Sequence, residues 1–249
     1  MKNPEELSLV SASGKLIRIV ESQQQIATTH LVDDLEEQHL LEQLLEEAKP
    51  PIPEHARHLH YLLATSFRYP PLNWGSRFGT KFEPSLFYGA LQATTAQAET
   101  AYYRLLFWHS MEVPPPNPIR SQHSAFTATF ASDKVINLTS EPYLARQPDW
   151  THPGNYLHTQ RLGAEAREQG AEAIIYTSAR DPAKGRNIAL LTGQVFSETS
   201  PCSQWPMICF VDGQRVQFHS TPNQFDMPEI SCYLLEAFIV EGQLPLPAQ

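Results

Sequence analysis

The amino-acid sequence predicts an α+β fold in which strands dominate the second half and helices are inserted between them. The strongest sign is Asp212-Gly213, which separates two apolar segments, residues 207–211 and 215–219, and so indicates a β-hairpin. A second sign is that segments with helical spacing of apolar residues do not alternate regularly with the strands. We therefore do not expect the regular winding of βαβ units around a parallel sheet.

Other helices and strands follow from periodicity and from residues that end or begin an element. Thr94 followed by Gln97 predicts a capping box at a helix start, and Gly170 predicts a left-handed cap at a helix end. The predicted helices cover residues 31–48, 56–67, a segment from Thr94 onward, and 156–169. The predicted strands, besides the hairpin, cover residues 86–91, 124–131, 135–138, 173–177 and 187–191.

Composition limits the classes of protein to which the chain can belong. Its net charge of −9 argues against nucleic acid as a direct partner, because neutralising phosphates requires surplus Lys and Arg. No apolar run approaches the ~20 residues that a membrane span needs, and the N-terminus lacks the apolar core of a signal peptide. The three cysteines show no framework spacing and are expected to be reduced thiols. We therefore expect a cytoplasmic protein.

The first predicted helix is strongly acidic. Seven acids lie between Asp33 and Glu47, and Lys49 is the first base after them. One interpretation is a solvated outer face, and the other is a docking surface for a basic partner. The nearby histidines at positions 55, 58 and 60 match no zinc-site spacing, so we expect helix-surface histidines and no metal.

Four short stretches carry residues with chemical potential. They are Ser66-Phe67-Arg68-Tyr69, then Gly75-Ser76-Arg77-Phe78, then Leu86-Phe87-Tyr88 followed by Ala98-Glu99, and last Tyr176-Thr177-Ser178-Ala179-Arg180 followed by Gly185-Arg186-Asn187. Each stretch alone is typical of ordinary structure, since a Glu early in a helix, for example, is stabilised by the helix dipole. Their order, over residues 28–196, resembles the RES domain, a family named for an Arg, a Glu and a Ser. Arg68, Glu99 and Ser178 match these three.

The resemblance to RES toxins, which occur in RES/Xre-type toxin–antitoxin pairs, implies both a fold and an activity. It implies an ADP-ribosyltransferase-like core of mixed and antiparallel strands, with an N-terminal helical extension over residues 1–54 and a catalytic domain over 55–249. It also implies that NAD is consumed as a substrate, with phosphate or water as the acceptor, and that an antitoxin inserts into the NAD cleft. An ADP-ribosyltransferase acting on a protein, or an inactive module that binds NAD or an antitoxin, are the alternatives. The sequence leaves open whether the chain forms homo- or hetero-oligomers.

The resemblance assigns catalytic roles to Glu99, Arg68 and Ser178 and substrate binding to a second set: Arg77, Tyr88, Tyr69, Arg180 and Asn187. These residue types suit the chemistry. Arginines can form forked, charge-assisted hydrogen bonds with the two phosphates of NAD, and Tyr88 can stack on nicotinamide. Breaking the glycosidic bond builds positive charge on the ribose, which Glu99 can stabilise. Ser178 can hydrogen-bond a phosphate or the carboxamide, and no metal is required.

Overall fold

The computed structural model describes residues 6–22, 32–222 and 227–247, which form eight strands and five α-helices. The helices are α1 (Leu35–Glu47), α2 (Tyr61–Arg68), α3 (Ala93–His109), α4 (Gln147–Trp150) and α5 (Leu157–Glu168). The strands are β1 (Leu9–Glu21), β2 (Phe87–Ala90), β3 (Ile119–Asn137), β4 (Ala173–Thr177), β5 (Arg186–Leu190), β6 (Ser203–Val211), β7 (Arg215–Ser220) and β8 (Ile230–Leu234).

All eight strands belong to one mixed sheet. Their order is β1-β2-β5-β4-β3-β6-β7-β8, and a further pairing of β1 with β3 joins the first five strands into a ring. The β3–β4 pairing is parallel, whereas the other pairings are antiparallel. The α+β prediction is confirmed by this architecture.

The long strand β3 organises the sheet because it pairs with three others. Residues 123–136 pair with β1, residues 119–127 with β6, and residues 135–137 with β4. The hairpin predicted at Asp212-Gly213 joins β6 to β7, and the Asp212 side chain accepts hydrogen bonds from the amides of Gln214 and Arg215 at 2.9 and 3.0 Å. An Asp that accepts from the backbone two residues on stabilises this kind of turn.

The helices pack on the sheet through three apolar clusters. Helix α2 contributes Leu62, Leu63 and Phe67 to one, α3 contributes Tyr102 and Leu105 to the second, and α5 contributes Leu162 and Ala166 to the third. At Gly163 of α5, a Cβ would lie 2.1 Å from the carbonyl oxygen of Phe78, so only glycine permits this approach. The sequence segment around Phe78 is thereby held against α5.

Most predicted elements are confirmed, with shifts of a few residues at their ends. Helix α5 ends before Gly170, whose φ of +71° is the predicted left-handed cap. The two strands predicted at 124–131 and 135–138 are one strand, β3, because Ala131 to Lys134 remain extended beside β1. The capping box is wrong: α3 begins after Gln92, and no side chain caps it.

The N-terminal extension was expected to be helical, but within its described residues α1 is the only α-helix. Residues 9–21 form β1, whose pairing with both β2 and β3 places it inside the sheet. Leu31, the expected first residue of the acidic helix, lies outside the described residues, as do residues 1–5 and 23–30. Within the described chain, none of the helices has the length and apolar character required to cross a membrane.

Candidate active site

A cleft of about 430 Å³ lies among β1, β2, β5 and helix α3. Most of its wall is formed by residues 17–19 of β1, the segment between Leu72 and Arg77, residues 88–90 of β2 and the face of α3 that contains Glu99. The polar and aromatic residues that line it are Arg18, Trp74, Ser76, Arg77, Tyr88, Glu99, Thr100, Tyr103, Tyr156, Tyr176, Arg180 and Asn187. The structure therefore brings together five of the predicted site residues: Arg77, Tyr88, Glu99, Arg180 and Asn187.

Glu99 projects from the second turn of α3 and is half-buried at the cleft. Its Oε1 accepts hydrogen bonds from Ser178 Oγ and from Asn187 Nδ2, both at 2.6 Å. Ser178 directly follows β4, and Asn187 lies at the start of β5. The carboxylate on helix α3 is therefore held by two donors from the sheet. Charge-assisted hydrogen bonds this short restrict the carboxylate to one orientation.

Ser178 is fully buried and does not contact the cleft. While its Oγ donates to Glu99, it accepts from the amides of Arg180 and Asp181 at 3.1 and 2.9 Å. The Ser178 hydroxyl is therefore used on both sides within the protein, as a donor and as an acceptor. Ser178 thus contacts the carboxylate of Glu99 from behind the cleft wall.

Two buried arginines, Arg77 and Arg180, line the cleft. Arg77 Nη1 donates to the carbonyls of Trp150 and His152, both at 3.1 Å, and its guanidinium carbon lies 4.5 Å from the ring centroid of Tyr156. Arg180 Nη2 donates to the carbonyl of Pro153 and to Tyr156 Oη. These hydrogen-bond partners are uncharged and do not neutralise the guanidiniums. Both arginines therefore supply positive charge to the cleft.

The Tyr88 hydroxyl is fixed in place. It accepts from the Phe78 amide at 3.0 Å and lies 2.9 Å from Ser76 Oγ, and burial raises its pKa. The hydroxyl thus connects β2 to residues 76–78 through hydrogen bonds, and Tyr88 lines the cleft.

Arg68 and Tyr69, in contrast, lie outside the cleft. Arg68 Nη1 donates to Glu46 Oε1 and its Nε donates to the carbonyl of Pro50, both at 2.6 Å. Arg68 therefore attaches α1 to the end of α2, and the structure does not bring it together with the other predicted site residues at the cleft. Tyr69 is exposed and lines an adjoining cavity of about 410 Å³.

Comparison with known proteins supports the sequence resemblance. The family model of the RES domain matches residues 52–209. The chain belongs to the RES domain family. Among solved structures it is similar to the M. tuberculosis MbcT–MbcA toxin–antitoxin complex, with a TM-score of 0.46 and 12% identity over 79% of this chain and 85% of that chain. No curated protein matches the chain.

Two parts of the cleft lie outside the segment that matches the RES domain. The first is Arg18 on β1, which sequence analysis missed. Its Nη1 donates to the Tyr88 carbonyl at 3.0 Å, its guanidinium carbon lies 4.6 Å from the Phe87 ring centroid, and burial lowers its pKa to about 10. Arg18 lines both the cleft and the adjoining cavity, so it stands where the two meet. The one sequence signal was a lone cation in the apolar run Leu16-Ile17-Arg18-Ile19-Val20.

The second part is the C-terminal segment. Pro247 lines the cleft, and the carbonyl of Pro245 accepts a hydrogen bond from Tyr102 Oη. Arg180 lies over the Tyr102 ring with its guanidinium carbon 3.8 Å from the centroid. The two ends of the chain thus complete the cleft of this RES domain.

A metal site was not expected at the histidines at 55, 58 and 60, and two of them, His55 and His60, cap backbone amides. His55 Nδ1 accepts from the Gly193 amide at 3.0 Å, and His60 Nδ1 accepts from the Leu62 amide at the start of α2. Within the described parts of the chain, no three His, Cys, Asp or Glu side chains are grouped as metal ligands.

Proposed function

We propose that this RES domain binds NAD in the cleft and cleaves the bond between nicotinamide and ribose, with phosphate or water as the acceptor. The observation that carries the proposal is the distribution of charge. Among the described residues lining the cleft, three guanidiniums, those of Arg18, Arg77 and Arg180, stand with a single carboxylate, Glu99. This positive cleft occurs in a chain whose net charge is −9, so it suits an anionic ligand.

The dimensions of the two cavities support a dinucleotide. Ligand sites occupy about 300–1,000 Å³, and the cleft and the adjoining cavity meet at Arg18 and Tyr88. In the proposed complex the pyrophosphate lies at Arg18, and the nicotinamide riboside end lies beside Glu99. Arginine is suited to a pyrophosphate because its planar fork can donate two parallel hydrogen bonds.

Glu99 would act on the positive charge that develops on the ribose as the bond to nicotinamide breaks. Its orientation is set in advance by Ser178 and Asn187, so no reorganisation is needed during the reaction. Nicotinamide is already cationic in NAD, and its departure neutralises it, so a general acid is not obligatory. The reaction would consume NAD rather than use it for hydride transfer.

The proposed activity also implies a protein inhibitor. An unguarded NAD-degrading enzyme would harm its own cell, so we propose a cognate antitoxin whose inserted segment occupies the cleft. A segment bearing carboxylates would be complementary to the three guanidiniums. The MbcT–MbcA structure is described as a toxin–antitoxin complex.

Incubating the purified chain with NAD labelled in its adenylate moiety tests the proposed activity. We expect free nicotinamide with labelled ADP-ribose when water is the acceptor, or its 1-phosphate when phosphate is added. Label on protein would indicate an ADP-ribosyltransferase instead, and unchanged NAD would contradict any catalytic role. Expression in bacteria should lower cellular NAD and stop growth, and a Glu99→Gln variant expressed at the same level is the control.

A further inference from the structure

The acidic helix α1 has an apolar face that is largely exposed. Leu40, Leu41, Leu44 and Leu45 have the i, i+1, i+4 and i+5 spacing that places side chains on one face of a helix. Leu40, Leu44 and Leu45 are 55%, 53% and 44% exposed. An amphipathic helix on a protein surface normally buries such a face against the core.

Polar side chains attach α1 to the rest of the described chain, and Leu41 is half-buried beside them. Gln38 is the only buried residue of α1, and its Nε2 donates to Glu42 Oε1 at 2.9 Å. One turn further on, Glu46 binds both Arg68 and Lys49. At 100° per residue, Gln38, Glu42 and Glu46 form a polar row, Leu45 lies beside Gln38, and Leu40 and Leu44 lie on the opposite side of the helix. The helix is attached by polar groups while its apolar surface stays accessible.

We propose that the leucine face of α1 is a docking surface for a partner protein that presents a basic amphipathic helix. The apolar residues supply the contact area, because burying leucine side chains is favourable. The charge selects the partner: seven acids lie between Asp33 and Glu47, and Glu36, Glu37 and Glu47 are exposed on this helix. A helix with leucines on one face and lysines or arginines beside them is complementary in both respects.

Charge also argues against a second copy of the chain as the occupant. Pairing two α1 faces would bring two sets of acids together with no Lys or Arg between Asp33 and Glu47 to offset them. Like charges brought face to face destabilise an interface. The proposal does not depend on NAD chemistry, so failure of either leaves the other testable.

The test uses the full chain and two synthetic 16-residue peptides with the same leucine pattern. One peptide has lysines at its flanking positions, and the other has glutamates. By fluorescence anisotropy, we expect the lysine peptide to bind and the glutamate peptide not to bind. Leu44→Ala should weaken binding at least about tenfold, as expected for a central apolar contact. Because Leu44 is exposed, this variant should keep the thermal unfolding midpoint of the parent chain.

Leu35→Ala is the matched control. Leu35 is 86% exposed on the same helix, and at 100° per residue it points away from Leu44. Its substitution should leave peptide affinity unchanged, whereas replacing Glu36, Glu37 and Glu47 together by Gln should weaken binding of the lysine peptide. Equal binding of the two peptides, or equal effects of the two alanine variants, would overturn the proposal.

Three further results would identify a different occupant and likewise overturn it. The first is a dimer in sedimentation equilibrium that Leu44→Ala dissociates, which would indicate a second copy. The second is binding to phosphatidylcholine vesicles that Leu44→Ala abolishes, which would indicate a membrane. The third is lysine-peptide binding that appears only after residues 23–31 are replaced by a Gly-Ser linker, which would show that this segment occupies the face.

Discussion

Replacing Glu99 by Gln tests the proposed chemistry with little change in shape. In the variant, Oε1 can still accept from Ser178 and Asn187, since glutamine keeps a carbonyl oxygen at that position. The negative charge, however, is lost. The variant should therefore fold normally and bind NAD with nearly unchanged affinity while its turnover falls.

The size of the effect follows from the charge that is removed. A carboxylate about 4 Å from the cationic ribose contributes roughly 4 kcal/mol at an effective dielectric constant near 20. Removal of one preorganised stabilising group typically costs about 2.7–4 kcal/mol, so turnover should fall roughly a hundredfold to a thousandfold. If Glu99 served only to meet the helix dipole, its loss would cost about 0.3–1 kcal/mol of stability and no catalysis.

Two measurements on the Glu99→Gln variant separate these outcomes. Isothermal titration calorimetry gives the affinity for NAD, and nicotinamide release gives the initial rate. Near-normal turnover in a folded variant would refute the assignment of Glu99, and the mechanism would have to be rebuilt on another residue. A large loss of NAD affinity would refute the claim that Glu99 acts mainly in the transition state.

Three further predictions concern the arginines Arg18 and Arg68, the buried Ser178, and the buried His123. Arg18→Ala should raise KM for NAD more than it lowers kcat, because the phosphates are charged throughout the reaction, while Arg68→Ala should leave both unchanged in steady-state assays. Ser178→Ala should lower kcat about tenfold with unchanged NAD affinity, because Glu99 loses a 2.6 Å donor; unchanged kcat would contradict the positioning role. Burial and the nearby Arg104 lower the pKa of His123 from 6.5 to about 4, so the unfolded chain binds an extra proton between these values. The free energy of unfolding should thus fall by up to about 3 kcal/mol as the pH drops from 6.5 to 4, and urea titrations of His123→Gln should show a smaller fall.

The sequence alone determined most elements and much of the cleft. Apolar periodicity and turn residues are local signals, so they predicted α5 with its cap at Gly170 and the hairpin at Asp212-Gly213. The family resemblance named Glu99, Arg77, Tyr88, Arg180 and Asn187, and the structure places all of them at one cleft. Tyr88, Asn187 and Arg180 meet there because β2, β5 and β4 pair side by side, and helix α3 adds Glu99.

Only the tertiary structure decided the positions of the two other arginines. Arg18 reaches Tyr88 across 70 residues of sequence, because β1 lies beside β2 in the sheet, and no local pattern encodes that pairing. Arg68 ends α2, and the packing of α2 directs its side chain toward α1 rather than into the cleft. A motif gives the residue type and its place along the chain, whereas the direction of a side chain depends on how its element packs against neighbours distant in sequence.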